Sequence, residues 1–247
     1  MNMDEYIRLA GIHKDYRVPG GDSVHALCNI DLSISNGEKL VITGDSGSGK
    51  TTLMNILGGV FRPTKGDYFF NGRNILSESN KGLAQFRNSV IGFVFQDYKL
   101  LPDYTVYENI ELPLIISKKP YNKADVNSVM ERLGIINLSR RRAETLSGGQ
   151  AQKVAIARAL VNKPEVILAD EPTGALNSAD SEEIISILFD DVGKEKTVIV
   201  STHNEKIAQK AKRRIIIKDG TIVEDISQDY YSDSGNLNND NYYRLQY

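Results

Sequence analysis

The run Gly44-Asp45-Ser46-Gly47-Ser48-Gly49-Lys50-Thr51 has the G-x-x-x-x-G-K-S/T spacing of a loop that grips phosphate. Its glycines let successive backbone N–H groups turn inward around an anion. A helix opening at the lysine adds the positive end of its dipole. In that geometry Lys50 neutralises the β- and γ-phosphates of a nucleotide and the Thr51 hydroxyl binds Mg²⁺. Thr52 is counted with the loop as a nucleotide contact.

A second chemical site closes the apolar run Val166-Ile167-Leu168-Ala169 with two carboxylates, Asp170 and Glu171. Asp170 suits a place beside Mg²⁺, as a Walker B aspartate does. Glu171, one residue on, points elsewhere and can polarise a water. Alone, the pair would be two solvated carboxylates opening a turn at Pro172; beside a phosphate loop the catalytic reading prevails. Between the two sites lies Leu146-Ser147-Gly148-Gly149-Gln150. Ser147 and the bare backbone of Gly148 and Gly149 suit anion binding at a helix N-terminus, and Ser147 also suits an N-cap.

The Leu146–Gln150 run is the LSGGQ signature, and over residues 6–224 the chain resembles the ATPases of ATP-binding cassette (ABC) transporters. The resemblance implies roles for three more residues. Gln96, in Gly92-Phe93-Val94-Phe95-Gln96, is similar to the glutamine that joins Mg²⁺ to the transporter-facing lobe. His203 is similar to the histidine that contacts the γ-phosphate, and Tyr16 to the aromatic that stacks on adenine. It further implies ATP and Mg²⁺ as cofactors and an ATP-dependent homodimer. In that dimer Ser147 to Gln150 of one chain complete the site built on Lys50, Asp170 and Glu171 of the other. A separate integral-membrane permease would then hold the chain to the inner face of the cell membrane.

A narrower likeness rests on Val24-His25-Ala26-Leu27, Met54-Asn55-Ile56-Leu57-Gly58, Leu100-Leu101-Pro102 and Glu108-Asn109-Ile110-Glu111-Leu112-Pro113-Leu114. These segments resemble the ATPases of lipoprotein-release, macrolide-export and antimicrobial-peptide-resistance systems. There are departures from the family pattern. Ala151 and Lys153 stand where glutamine and arginine are usual, and Asn177 stands where the D-loop usually has aspartate. Lysine replaces arginine as a charge but not as a bidentate fork.

These sites need a scaffold that presents them together. Residues 40–43, 166–169 and 198–201 are short apolar runs that read as buried strands, each ending at a polar or glycine-rich site. Helical stretches at 50–57, 124–133, 150–161 and 178–189 alternate with them. That alternation predicts an α/β fold with a mainly parallel sheet covered on both faces and ligands beyond the carboxyl ends of its strands. The resemblance specifies a P-loop NTPase with an antiparallel β subdomain and an inserted helical subdomain carrying the signature. Residues 6–12 and 26–34 are strand-like, and Asn71-Gly72 and Asp219-Gly220 are hairpin signals.

The chain has 247 residues, which allows one large domain or two small ones. The expected division is a nucleotide-binding domain at 1–225 and a polar tail at 226–247, either mobile or docked through Tyr230, Tyr231, Tyr242 and Tyr243. Thirty basic against 32 acidic residues give a net charge of -2, so no strong field for nucleic acid or anionic lipid follows. Cys28 is the only cysteine, which fits a reducing cytosol. The first residues do not read as a secretory signal, and no run approaches the ~20 apolar residues of a membrane span. Two other classes remain beside transport. One is an ATPase that drives a regulator of cell-wall hydrolases without moving cargo. The other is a soluble ABC protein of ribosomes or DNA, whose second cassette or long inserts this chain lacks.

Overall fold

The computed structural model describes residues 5–17, 20–191, 194 and 196–227. Two sheets share the molecule. The first has the order β2-β1-β4-β5 and is antiparallel, built from β1 (Ile7–Tyr16), β2 (Val24–Ile34), β4 (Lys65–Phe70) and β5 (Arg73–Asn74). The second has the order β10-β9-β3-β8-β7-β6, from β3 (Lys39–Thr43), β6 (Ile91–Val94), β7 (Val166–Asp170), β8 (Thr197–Ser201), β9 (Arg213–Lys218) and β10 (Thr221–Ser227). It is parallel except for the β9–β10 hairpin. The expected mainly parallel sheet and antiparallel subdomain are both present.

Parity along the strands explains the two cores. In the second sheet Leu40, Ile42, Leu168 and Ile199 pack with the first sheet and α1 (Lys50–Leu57). Val41, Ile167, Ala169, Val198 and Val200 pack on the opposite side. All nine are fully buried, so β3, β7 and β8 read as unbroken apolar runs rather than alternating ones. Each of the valine, leucine and isoleucine side chains among them contributes roughly 1.5–3 kcal/mol when removed from water. In β1 the alternation of Ile7 and Leu9 slips before Ile12, where Gly11 at φ +54° lets a bulge restore the inward face.

Between β6 and β7 the chain inserts α3 (Val106–Ser117), α4 (Lys123–Arg132) and α5 (Gly148–Leu160), which close the second core. α2 (Asn80–Val90) precedes β6, and α6 (Ser178–Ser186) and α7 (Glu205–Ala208) follow β7 and β8. The signature thus opens a helix of an inserted helical subdomain, as expected. Both hairpins form: Asn71 and Gly72 have φ of 48° and 75°, and Asp219 and Gly220 have the same pair of values.

Several expected boundaries move. The helix expected at 150–161 begins at Gly148, because Ser147 caps it. The one expected at 178–189 stops at Ser186 and widens into a π-turn, Ile187–Asp191. The one expected at 124–133 runs Lys123–Arg132 behind the Asn122 cap. β10 continues through Ser227, and Asp225 within it pairs with Arg213 at 2.5 Å, so the division at 225 falls inside a strand. The tail from residue 228 onward lies outside the described residues. Among the described residues no helix is long and apolar enough to cross a membrane.

Candidate nucleotide-binding site

The loop from Gly44 leaves the carboxyl end of β3 and enters α1 at Lys50. Gly44 has φ +149°, and a Cβ there would stand 2.1 Å from the Ile217 carbonyl oxygen. At Gly49, with φ +111°, a Cβ would stand 2.7 Å from the Ala26 carbonyl oxygen. The loop therefore runs against backbone on both sides, which only glycine permits. Gly220 N–H donates to the Ser48 carbonyl at 2.9 Å, tying the loop to the β9–β10 turn. No side chain caps α1, whose N-cap is Gly49, and its first turn holds no acidic residue. Its first N–H groups stay available to an anion.

Lys50 is 7% exposed and curls back over the loop, its Nζ donating to the carbonyls of Gly44 (2.7 Å) and Asp45 (3.0 Å). The same Nζ is 4.0 Å from Oε1 of Glu171. A cleft of about 810 Å³ opens over the loop. Gly44, Asp45, Ser46, Gly47, Gly49, Lys50, Thr51 and Thr52 line it with Gln96, Glu171 and His203. Ser48 is buried beneath it, its hydroxyl without a partner.

β7 delivers the two carboxylates, and Ser201 at the end of β8 sorts them. The Ser201 hydroxyl donates to Asp170 Oδ1. Glu171 N–H donates to the carbonyl of Ser201 (3.0 Å) and to its hydroxyl oxygen (3.2 Å). Glu171 adopts φ +47°, left-handed for a residue with a Cβ, a strain of order 1 kcal/mol that the Ser201 contacts sustain. That turn aims its side chain into the cleft, while Asp170, 5% exposed, stays behind the wall. Oε2 of Glu171 is 3.0 Å from His203 Nδ1 but off the line of a hydrogen bond, so its lone pairs stay free. The result is a carboxylate between an ammonium and an imidazole, able to accept a proton.

Gln96 follows β6 and lines the cleft. Beyond it Tyr98 and Lys99 both hold positive φ, at 59° and 49°. Arg158, from α5, donates to both of their carbonyls at 2.6 Å. Burial pushes its guanidinium below its usual range, the desolvation expected of a charge used as an internal clamp.

Two expected groups lie outside the cleft wall. Tyr16, at the end of β1, reaches only its margin, its hydroxyl 3.5 Å from Thr52 Oγ1. Ser147, Gly148, Gly149 and Gln150 do not line it. Ser147 and Gln150 form a capping box on α5, with Gln150 N–H on Ser147 Oγ (3.4 Å) and Ser147 N–H on Gln150 Oε1 (3.2 Å). The signature thus presents a second helix N-terminus away from the first. Asn177 caps α6: its Oδ1 accepts from Asp180 N–H (2.9 Å), and its Nδ2 donates to Asp180 Oδ2 (2.9 Å). Sequence reasoning missed Arg214, which also lines the cleft. It forks Glu205 with two bonds of 2.6 Å and donates from Nε to Thr43 Oγ1 at 2.9 Å. No spacing signal marks it, because strand pairing alone brings β9 beside β3.

Comparison with known proteins agrees with this geometry. Residues 27–174 match the family model described as ABC transporter. The pyoverdine export ATP-binding/permease protein PvdT of Pseudomonas syringae pv. syringae is 46% identical over 90% of this chain and 34% of that protein. The macrolide export ATP-binding/permease protein MacB of Nitrobacter winogradskyi is 46% identical over 90% of this chain and 35% of that protein. This chain thus spans about a third of the length of these export proteins. The ABC transporter ATP-binding protein YvrO of Bacillus subtilis is 46% identical over 89% of this chain and 96% of that protein. Among solved structures, the dimeric bacterial ABC transporter cassette MJ0796 superposes with a TM-score of 0.83. It is 36% identical, over 91% of this chain and all of that one. A post-hydrolysis state of the same cassette, bound to ADP and Pi, has a TM-score of 0.83 at 35% identity.

Proposed function

Because this chain belongs to the ABC transporter family, we propose that it is the ATP-hydrolysing cassette of an export system and drives a separate membrane permease. The observation that carries this reading is the convergence of Lys50, Glu171 and His203 on one phosphate-loop cleft, with Glu171 left free to take a proton. The loop N–H groups and Lys50 hold the β- and γ-phosphates. Glu171 accepts the proton of the attacking water, and His203 contacts the γ-phosphate. Tyr16 stacks on the base, beside Thr52.

Among the described residues no group of three His, Cys, Asp or Glu side chains converges to hold a metal unaided. The donors at hand are oxygens: the Thr51 hydroxyl and the Gln96 amide line the cleft, and the Asp170 carboxylate, behind the wall and oriented by Ser201, would act through a metal-bound water. That set suits Mg²⁺, which takes few protein ligands and completes its shell with phosphate oxygens and water. When bound there it neutralises charge on the phosphates.

The signature lies outside its own chain's cleft, which supports a head-to-tail homodimer. In it Ser147, Gly148, Gly149 and Gln150 of each chain would complete the other's site around ATP. The dimeric MJ0796 cassette is a precedent for such a pair. Through its permease the chain sits at the inner face of the membrane, and the permease, not the cassette, sets the cargo. The relatives named for pyoverdine export and macrolide export support an export role. Purification of the tagged chain from membranes in mild detergent, followed by mass spectrometry, tests the assignment. An integral-membrane permease that stimulates ATP turnover is the expected partner. Recovery without any membrane protein would end the reading.

Asn177 gives a further expectation. Aspartate caps a helix as well as asparagine does. It would, however, replace the Asn177–Asp180 hydrogen bond with two facing carboxylates. Asn177→Asp therefore lowers the melting temperature by a few degrees, as a loss of about 1 kcal/mol implies. Asn177→Asp/Asp180→Asn recovers it. Permease-stimulated turnover changes by less than about tenfold. A cassette inactive with asparagine and rescued by aspartate would instead mark a binding-only site.

A further inference from the structure

The reading of Tyr16 as the base-stacking residue leaves a physical problem. Tyr16 ends a strand, is 36% exposed and does not line the cleft, so by itself it is a poor platform. The residues around it resolve this. The ring of Phe61 meets that of Tyr16 edge-on, with centroids 6.4 Å apart and planes at 80°. The ammonium of Lys14 stands over both rings, 5.2 Å from the Tyr16 centroid and 5.8 Å from that of Phe61.

None of these groups is loosely placed. Lys14 Nζ donates to the Arg62 carbonyl at 2.8 Å. Val60 and Phe61 N–H both donate to the Asn55 carbonyl, at 2.8 and 3.1 Å, so the turn carrying Phe61 is fastened to α1. Thr64 N–H donates to the His13 carbonyl at 2.7 Å, and Asp15 N–H to Thr64 Oγ1 at 2.9 Å, fastening the same turn to β1. Phe61 itself is 39% exposed, an aromatic on the surface whose ring contact is with Tyr16.

We propose that Phe61 and Lys14 are positioning residues that buttress Tyr16 into a preformed nucleobase platform. The proposal rests on the base-stacking reading of Tyr16. Phe61 blocks ring rotation from the side, and Lys14 covers one face, leaving the other to the base. The cation also draws electron density from the phenol ring, which favours stacking with an electron-rich purine. The Tyr16 hydroxyl beside Thr52 sets the distance from base to phosphates. Preorganisation of this kind raises affinity by removing the cost of ordering the ring on binding. An edge-to-face aromatic pair corresponds to roughly two- to tenfold in affinity.

Calorimetric titration of the purified chain with ADP and, separately, inorganic pyrophosphate tests it, since pyrophosphate has no base to stack. The variants are Tyr16→Ala, Phe61→Ala, Phe61→Leu, Lys14→Gln and Tyr16→Ala/Phe61→Ala, with thermal unfolding as the fold control. Phe61→Ala and Lys14→Gln each weaken ADP binding about two- to tenfold and leave pyrophosphate binding unchanged. Phe61→Leu, which keeps bulk without a ring, recovers part of the loss. Phe61→Ala adds nothing in the Tyr16→Ala background. Equal losses for both ligands, an additive double variant, or no loss on Phe61→Ala while Tyr16→Ala weakens ADP would each overturn the buttress alone. No effect of Tyr16→Ala on ADP would overturn both the buttress and the stacking role of Tyr16.

Discussion

Replacing Glu171 by glutamine slows ATP turnover by roughly 10²–10⁴-fold, the usual cost of losing a general base, while ATP still binds. Glutamine keeps the volume of the side chain and leaves the two backbone bonds to Ser201 in place. The unusual φ of +47° persists, because those bonds impose it. What disappears is the anionic acceptor between Lys50 and His203. Removing that negative charge 4.0 Å from the Lys50 ammonium leaves the phosphate site more positive, so nucleotide affinity holds or rises. With binding intact and turnover blocked, the ATP-bound dimer should accumulate. Light scattering then shows monomer without nucleotide and dimer with Mg-ATP. Near wild-type turnover in the presence of the permease would remove Glu171 from the proton-accepting role. A dimer indifferent to nucleotide would contradict ATP as the element that completes the interface.

Legibility in the sequence followed physical range. Local patterns were readable: the phosphate loop opens α1 at Lys50 as its spacing implies, and both Asn71-Gly72 and Asp219-Gly220 turn with positive φ. Buried runs such as Val166–Asp170 were equally plain, because a strand covered on both faces leaves no polar interruptions. Other elements were masked. α3 carries Pro113 in its interior, a breaker by propensity. Here the capping box of Thr105 and Glu108 and the buried face of Val106, Ile110 and Leu114 hold the helix, so capping and packing override propensity. β6 is only four residues long, and its place at the sheet edge is fixed by pairing with β7. The site showed the same division. Glu171, Lys50 and His203 could be named, but their convergence depends on three parallel strands ending in register. Arg158 and Arg214 could not be named at all. Their partners are carbonyls, a threonine hydroxyl and the Glu205 carboxylate, brought near by tertiary packing, and such partners leave no trace in sequence spacing.

Gly44→Ala removes nucleotide binding more completely than loss of any one phosphate contact would. The new Cβ would lie 2.1 Å from the Ile217 carbonyl oxygen and 2.7 Å from the Ser48 hydroxyl. The Ser48 side chain can rotate, but the Ile217 carbonyl cannot yield cheaply. It belongs to β9, which pairs with β3 up to Thr43 and Ile216, the residues immediately before Gly44 and Ile217. The φ of +149° adds strain for any residue with a Cβ. Relief requires the loop to move by about 1 Å, and a displacement of that size in a preorganised site costs about 100-fold. Here it falls on the N–H groups that hold the phosphates, so ADP affinity drops by about 100-fold or more. Gly72→Ala is the control. Its φ of +75° carries a similar backbone penalty, but its Cβ meets nothing within 4 Å and the turn lies between β4 and β5. That variant loses about 1–2 kcal/mol of stability and keeps its ADP affinity. Thermal unfolding and ADP titration of the two variants separate strain from loop displacement. If Gly44→Ala binds ADP as tightly as Gly72→Ala does, the close backbone approach at Gly44 is not what shapes the phosphate site.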